Sequence, residues 1–177
     1  GLLGVVADII KVEKKYETAI ETALGGSIQN IVTDNEQTAK RMIEFLKKNK
    51  FGRATFLPLT QIRSHGGIAQ PQALNEEGVI GLADTLVMVE DKYLELAGSL
   101  LGRTLVVDHI DHGLAIARKY RQSIRIVTLE GDLINPGGSM TGGAFKNSSN
   151  LLSRRREIEE LEQAVQKLRA DVAKTEQ

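Results

Sequence analysis

Residues 16–25 read YETAIETALG and residues 93–102 read YLELAGSLLG, each with a tyrosine nine positions before a glycine. The same four kinds of segment follow both stretches: a β-branched strand, a polar cap, an alanine-bearing helix and a second strand. The paired segments are IQNIV and RTLVV, TDNEQ and DHIDH, TAKRMIEFL and LAIARKY, and ATFLPL and IRIVTL. This order predicts an internal duplication of a helix–strand–helix–strand unit, since one unit alone would bury its sheet poorly. The alternative is a coincidence in the order of elements.

The hydrophobic pattern of the first half predicts five elements. They are a strand over 2–10, a helix over 14–24, a strand over 27–32, a helix up to Lys48 and a strand over 53–59. Gly25-Gly26 ends the first helix, Asp34 or Asn35 caps the second, and Pro58 ends the last strand. The second helix is expected to bury one apolar face, made of Ala39, Met42, Ile43 and Leu46.

Composition excludes several classes of protein. The 177 residues include 23 basic and 23 acidic side chains and no cysteine. Disulfide scaffolds, cysteine zinc sites and thiol nucleophiles are therefore excluded, and nucleic-acid binding would need local charge clusters. No apolar run is long enough for a membrane span, so we expect no membrane partner. The chain begins in mid-pattern and ends within a helix, so we expect a fragment of a longer protein.

The C-terminal tail carries a heptad seam. Its apolar residues step by three and four positions, with β-branched residues at a: Ile158, Leu161, Val165, Leu168 and Val172. This spacing is typical of a coiled coil, which needs a partner helix. An amphipathic helix packed on its own domain is the alternative, but such helices usually have a wider apolar face.

Residues 137–143, GGSMTGG, raise the possibility of a phosphate-binding loop. Gly137 and Gly142 have the glycine spacing of a P-loop, but Gly143 stands where the essential lysine belongs and no helix follows directly. The glycines then either form a tight turn or leave the surface free of side chains so that another backbone can approach. Four glycines around the adaptable apolar Met140 favour a loop against which a second chain packs.

Catalytic and metal sites have weak support in the sequence. DHIDH places His109 and His112 three residues apart, but no third ligand cluster such as HExxH accompanies them. Asp111 is more simply a helix N-cap with solvated histidines beside it, so we predict no metal site. His65 lies in a polar loop without a nucleophile motif, and we predict no catalytic residue.

The densest basic run is Arg154-Arg155-Arg156, at the start of the tail helix, with Lys146 upstream. A solvated face is one interpretation of this run. Three arginines do not favour the first turn of a helix, however, so contact with an anionic partner is the other. A second cluster, Lys47, Lys48 and Lys50, stands at a helix end, where the helix dipole alone favours cations.

Taken together, these segments resemble a known family. GLLGVVADIIKVEKKYETAIETALGGSIQNIV at the start, GRATFLPL at 52–59, VTLEGDLINPGGSMTGG at 127–143 and the heptads after residue 151 are similar to the hinge domain of structural maintenance of chromosomes (SMC) proteins. The resemblance implies a mixed α/β fold of two similar subdomains, over 1–75 and 76–150, followed by a coiled-coil arm over 151–177. Short connections and an uninterrupted FLPL block are closer to bacterial members.

The resemblance also implies a function. It implies a non-enzymatic dimerisation hinge for chromosome condensation and segregation, in which two copies join head to tail as a toroidal homodimer. Gly137, Gly138, Met140, Gly142 and Gly143 would lie at the dimer interface. DNA would contact Lys146 and Arg154–Arg156. ATP and magnesium would bind distant head domains, no cofactor would bind here, and the protein would be cytoplasmic and nucleoid-associated.

Other interpretations stay open at this point. One is an α/β domain that binds a nucleotide or another ligand through GGSMTGG. Another is a repair ATPase of related architecture, with a replaced or differently built hinge, and a third is a heterodimeric eukaryotic hinge. In each SMC-like case the coil seam would be covered by a helix of the same full-length chain.

Overall fold

The computed structural model describes residues 1–144 and 151–176. Ten short strands are present among these residues: β1 Leu2–Val5, β2 Lys11–Val12, β3 Ile31–Thr33, β4 Phe56–Pro58, β5 Val79–Leu82, β6 Val87–Met88, β7 Thr104–Val107, β8 Arg125–Thr128, β9 Leu133–Ile134 and β10 Met140–Thr141. The α-helices are α1 Val6–Ile9, α2 Glu17–Leu24, α3 Glu36–Lys48, α4 Leu94–Leu101, α5 Ile110–Lys119 and α6 Leu151–Glu176.

Each half of the chain builds its own sheet. The first has the order β1-β3-β4 and the second the order β10-β9-β8-β7-β5. In both halves an antiparallel strand precedes a parallel pair, β3 with β4 and β7 with β8. The crossover between the parallel strands is a helix, α3 in the first half and α5 in the second. The predicted mixed fold with two similar halves is therefore confirmed.

The similarity extends to single residues. Gly4 and Gly81 lie 77 residues apart, and each stands at a register irregularity in the first strand of its half, with positive φ of 133° and 157°. Tyr16 and Tyr93, also 77 apart, each precede an α-helix. A two-stranded sheet of β2 and β6 joins the halves.

The main hydrophobic core is shared by both halves and the tail. Its fully buried side chains come from the first half (Val6, Ile10, Ile20, Val32) and from the second (Leu96, Leu101, Val106, Val127), and Leu152 of α6 joins them. A second cluster lies against α5, around Leu105, Ile116 and Ile126. Full burial of one such aliphatic side chain contributes about 1.5–3 kcal/mol, so the halves stabilise each other.

Several predicted elements of the first half need correction. The strand over 2–10 is interrupted by α1, because burial of Val6 and Ile10 in the core favours a turn, closed by Ile10 N–H donating to the Val6 carbonyl at 3.0 Å. The helix over 14–24 begins with a 3-10 turn, Lys14–Tyr16, and the strand over 27–32 is reduced to β3 by another, Gly25–Gln29. Gly25, with φ of +54°, ends α2 as predicted.

Helix caps and faces agree with expectation only in part. Asn35 caps α3 as expected, its Oδ1 accepting from Thr38 N–H at 2.9 Å, and β4 ends at Pro58. The face of α3 is only partly buried, because Ile43 is 41% exposed. The cap of α5 is His109 and not the predicted Asp111, which lies inside the first turn. The tail forms α6, and the apolar residues of its heptad seam are exposed.

Candidate dimer interface and coil junction

The glycine-rich segment forms a hairpin at the edge of the larger sheet. Strand β10 pairs only with β9 within the described residues and ends the sheet. The turn before it is closed by Asn135 N–H donating to the Ser139 carbonyl at 2.9 Å, and Gly138 N–H donating to the Asn135 carbonyl at 2.9 Å. The segment continues into an edge strand, so it lacks the strand–loop–helix context of a phosphate loop.

The glycines of the hairpin differ in backbone conformation and in the space that a side chain would have. Gly137, Gly138 and Gly143 have positive φ of 92°, 103° and 131°, which favours glycine at each position. A Cβ at Gly142 would stand 2.8 Å from Asp132 Oδ1, so the chain itself excludes a side chain there. At Gly137 and Gly143 a Cβ would meet no atom of the described residues within 4 Å. No described residue therefore occupies the space in front of these two glycines.

Apolar surface lies beside this edge. Met140, in β10, is 52% exposed. A shallow cavity of about 300 Å³ adjoins it, lined by Thr22, Gly131, Leu133 and residues 141–144. The β10 edge thus combines backbone groups that pair with no other described strand with apolar contact area, which is what strand addition requires.

The smaller sheet has a matching edge at β4, which the sequence pattern did not reveal. Three large apolar side chains around it are exposed: Ile43, Phe45 and Phe51, the last by 60%. The rings of Phe45 and Phe51 lie 5.9 Å apart between centroids. A groove of about 450 Å³ beside them is lined by Ile43, Leu46, Lys47 and residues 51–54. The two phenylalanines that flank LKKNK, Phe45 and Phe51, were the available signal.

The coil helix is held on the first half by ion pairs. Arg156 donates to Glu17 of α2, which is only 3% exposed, and also pairs with Glu160 at 2.8 Å. The hydrogen bond to Glu17, followed by that to Glu160, raises the pKa of Arg156. A buried carboxylate is costly unless paired, so Arg156 is a structural partner for Glu17.

Two further ion pairs join the same surfaces. Arg155 Nε lies 2.8 Å from Asp8 Oδ1 of α1, and Lys11 of β2 pairs with Glu159. With Leu152 buried in the core, these contacts fix the start of α6 against α1, α2 and β2. This anchoring role of the arginines was not predictable from their position in the sequence.

The predicted DNA-binding residues therefore differ in how exposed their side chains are. Arg155 keeps about half of its side chain exposed while it pairs with Asp8, whereas Arg156 is mostly covered. Lys146 and the side chain of Arg154 lie outside the described residues. His65 is exposed in the connection between the halves, and its carbonyl accepts from Arg103 at 3.4 Å.

The family of this chain follows from comparison with known proteins. Residues 1–117 match the family model described as "SMC proteins Flexible Hinge Domain". The chain belongs to the SMC hinge family. The resemblance found in the sequence is confirmed, and so is the non-enzymatic interpretation, because the SMC hinge is not a catalytic domain.

Curated relatives of this SMC hinge are chromosome partition proteins. It is 47% identical over 163 residues to the chromosome partition protein Smc of Desulfitobacterium hafniense, covering 92% of this chain and 14% of that protein. It is 43% identical over 180 residues to that of Bacillus subtilis, covering 100% of this chain and 15% of that protein. The chain thus spans about one-seventh of the length of these relatives.

Solved SMC hinges have the same fold. An asymmetric dimer of the Geobacillus stearothermophilus SMC hinge domain matches with a TM-score of 0.85 and 38% identity, covering 98% of this chain and 71% of that chain. The Pyrococcus furiosus SMC hinge domain matches with a TM-score of 0.69 and 33% identity, covering 84% and 76%. Within the described residues, no helix has the length and apolarity needed to cross a bilayer.

Proposed function

We propose that this SMC hinge joins two copies of a chromosome-partitioning ATPase into a closed, head-to-tail homodimer. In each contact, the β4 edge of one copy pairs with the β10 edge of the other. The observation that carries the proposal is that each half of the chain ends its sheet in an edge strand with exposed apolar side chains nearby. Such edges are normally protected in soluble proteins, and a second copy protects both.

The geometry of closure follows from symmetry. A contact between β4 and β10 joins two different surfaces, so one such contact leaves one of each edge unused. A two-fold axis makes the second contact identical to the first and closes the ring without leaving a free edge. Gly137 and Gly143 carry no side chain that would hold the incoming strand away. On this proposal the subdomains are residues 1–75 and 76–150, and the arm begins at 151.

Engineered cysteines test the pairing, because the chain has none of its own. Thr55, next to β4, and Thr141, in β10, are both exposed. We expect the double variant Thr55→Cys/Thr141→Cys to give covalent dimers with a short bis-maleimide, and each single variant to remain uncrosslinked. Thr141→Cys combined with Lys92→Cys, an exposed position in neither β4 nor β10, is the matched control. Equal crosslinking in a single variant would contradict the head-to-tail arrangement.

We also propose that DNA contacts the coil junction through Arg154, Arg155 and Lys146. Support comes from their clustered positive charge and from the partial exposure of Arg155. Arg156 contributes mainly by holding the coil helix, since Glu17 and Glu160 neutralise its charge. In the whole protein, which we propose to be cytoplasmic and nucleoid-associated, ATP and magnesium would bind the distant heads.

Nucleotide binding at GGSMTGG is the competing function. The hairpin geometry does not favour it, because the segment leads into an edge strand. Titration of ATP or ADP into the protein, followed by calorimetry, discriminates the two: we expect no binding heat. Binding that disappears when Gly137 or Gly143 is changed to alanine would support the competing function instead.

A further inference from the structure

The duplication gives the molecule two corresponding helix caps, one before α3 and one before α5. In the first, Asp34 Oδ1 accepts from Asn35 N–H and from the Thr38 hydroxyl, both at 2.8 Å. In the second, Asp108 Oδ1 accepts from His109 N–H and lies against His112 Nδ1, both at 2.7 Å. Each cap thus contains an aspartate whose Oδ1 contacts two residues. In the first cap these residues are Asn35 and Thr38, and in the second both are histidines.

The second cap brings together three groups that can bind a metal ion. One ligand atom each from Asp108, His109 and His112 lie within 4.8 Å of one another. The two imidazole rings lie 4.3 Å apart between centroids. Glu77 arrives from the segment before β5, and its Oε1 lies 3.5 Å from His112 Nε2. Asp108 lies against the other ring nitrogen, Nδ1, so Glu77 can orient the His112 ring but does not join the three ligand atoms.

From this cluster we propose that the cap of α5 is a binding site for a divalent transition-metal ion of the zinc type. Two imidazoles and one carboxylate are ligands that zinc accepts, and water can take the fourth position. Bonds of about 2.0–2.2 Å place the ligand atoms of a tetrahedral site about 3.3 Å apart. The three ligand atoms lie within 4.8 Å of one another, so they need to approach by no more than about 1.5 Å to hold an ion. Magnesium and calcium prefer oxygen ligands and do not suit this set.

Gly78 shows that the backbone makes room for the cluster. A Cβ there would stand 2.6 Å from Asp108 Oδ1 and closer still to His112 Nδ1, and the φ of Gly78 is +86°. The Gly78 carbonyl accepts from Asp108 N–H at 2.9 Å, which fixes Asp108 on this side of the sheet. Two of the ligands are thereby held in place before an ion arrives.

The electrostatic balance of the site is set by carboxylates. The N-terminus of α5 disfavours a cation. Glu77, Asp108 and Asp111 surround the imidazoles with three carboxylates, which offset that effect. A bound ion would fasten Asp108, just after β7, to the first turn of α5.

Calorimetric titration of zinc chloride into the untagged 177-residue protein tests the proposal. We expect one ion per chain, and a loss of affinity of about 10-fold or more in His109→Ala and in His112→Ala. His65→Ala is the matched control, since it removes the third histidine of the chain and should bind zinc like the parent. Magnesium chloride should give no binding heat.

A second measurement does not depend on whether the histidine variants fold. In the parent protein, zinc should shift the NMR signals of the His109 and His112 rings and leave those of His65 unchanged. Absence of zinc binding in the parent would overturn the proposal. So would a zinc affinity of His109→Ala and His112→Ala equal to that of the parent. Neither outcome bears on the dimer, because the site does not include β4 or β10.

Discussion

Lys11 and Met88 lie opposite each other in the antiparallel pair of β2 and β6, and they are also equivalent residues of the two halves, 77 positions apart. Two equivalent residues can face each other across an antiparallel pair only if an approximate two-fold axis passes between them. Strands β2 and β6 are therefore related by a local two-fold axis at this point.

The coil helix breaks this symmetry. Lys11, Asp8 and Glu17 of the first half all pair with α6. Their equivalents 77 residues later are Met88, Thr85 and Leu94, which carry no charge. The duplicated fold thus offers α6 one charged docking surface rather than two, and α6 packs there, on the first half, although it follows the second half along the chain.

The first prediction concerns the open glycines of the β10 hairpin. Replacing Gly137, Gly138, Gly142 and Gly143 together with alanine should give folded monomers. Because alanine at Gly142 would collide with Asp132, the narrower variant Gly137→Ala/Gly143→Ala is the cleaner test. Analytical ultracentrifugation measures the mass of each variant, and circular dichroism shows whether it is folded.

Backbone strain needs its own control in this series. Alanine at a strained positive φ costs on the order of 1–3 kcal/mol. Gly4→Ala is the control, because Gly4 has a φ of +133°, close to that of Gly143, and a Cβ there would make only ordinary contacts with Ile9 at 3.8 Å. Gly4 lies in β1 and in neither proposed interface strand, so this variant should remain dimeric. A monomeric Gly4→Ala would assign the effect to strain and not to the interface.

The second prediction concerns the apolar side chains next to β4. Phe51→Glu should weaken the dimer by about 30-fold or more, the effect of removing a hot-spot side chain that contributes about 2 kcal/mol. The thermal stability of the monomer should change little, since Phe51 is already exposed. Leu94→Glu, at another exposed apolar position, should leave the dimer intact. Equal weakening by both variants would contradict a specific role for this edge.

The third prediction concerns the buried carboxylate at the coil junction. Arg156→Ala should destabilise the protein by about 2–3 kcal/mol, below the effect for a fully buried pair because Arg156 is partly exposed. Glu17→Gln in the same chain should restore part of the stability, because no unpaired charge then remains buried. Chemical denaturation of the single and double variants measures the coupling.

Arg155 provides the matched comparison for that cycle. Its pair with Asp8 is half-exposed, so Arg155→Ala should cost no more than about 1 kcal/mol. If Arg155→Ala and Arg156→Ala were equally destabilising, burial of Glu17 would not be the reason for the effect.

The fourth prediction concerns DNA. Arg154→Ala/Arg155→Ala should weaken DNA binding and lower the slope of log affinity against log salt by about 0.9 for each phosphate that is no longer neutralised. Arg156 is left in place because its change would disturb the coil junction. Arg169→Ala, further along α6, should behave like the parent. Unchanged affinity and slope in the double variant would remove these arginines from the DNA site.

Local chemistry made much of the fold predictable. Asn35 as a cap, Gly25 as a helix end and the heptads of α6 depend on neighbours within a few residues, so the sequence displays them directly. The duplicated order of elements was visible for the same reason. It repeats local signals at a fixed separation.

Long-range pairing explains what was not predicted. Arg156 meets Glu17 139 positions away, and Glu77 reaches His112 only because β5 lies beside β7. The exposure of Ile43 was also not predicted, since the spacing of apolar residues on a helix is the same whether they face their own core or another chain. The turn α1 formed against the β-propensity of its residues, because core burial of Val6 outweighed it.

Sedimentation equilibrium of the 177-residue chain tests the central claim most directly. The account predicts the mass of two chains at micromolar concentration, with the Phe51→Glu and Gly137→Ala/Gly143→Ala variants shifted toward one. A parent protein that sediments as a monomer at that concentration would contradict the proposal that β4 and β10 are the two halves of a dimer interface.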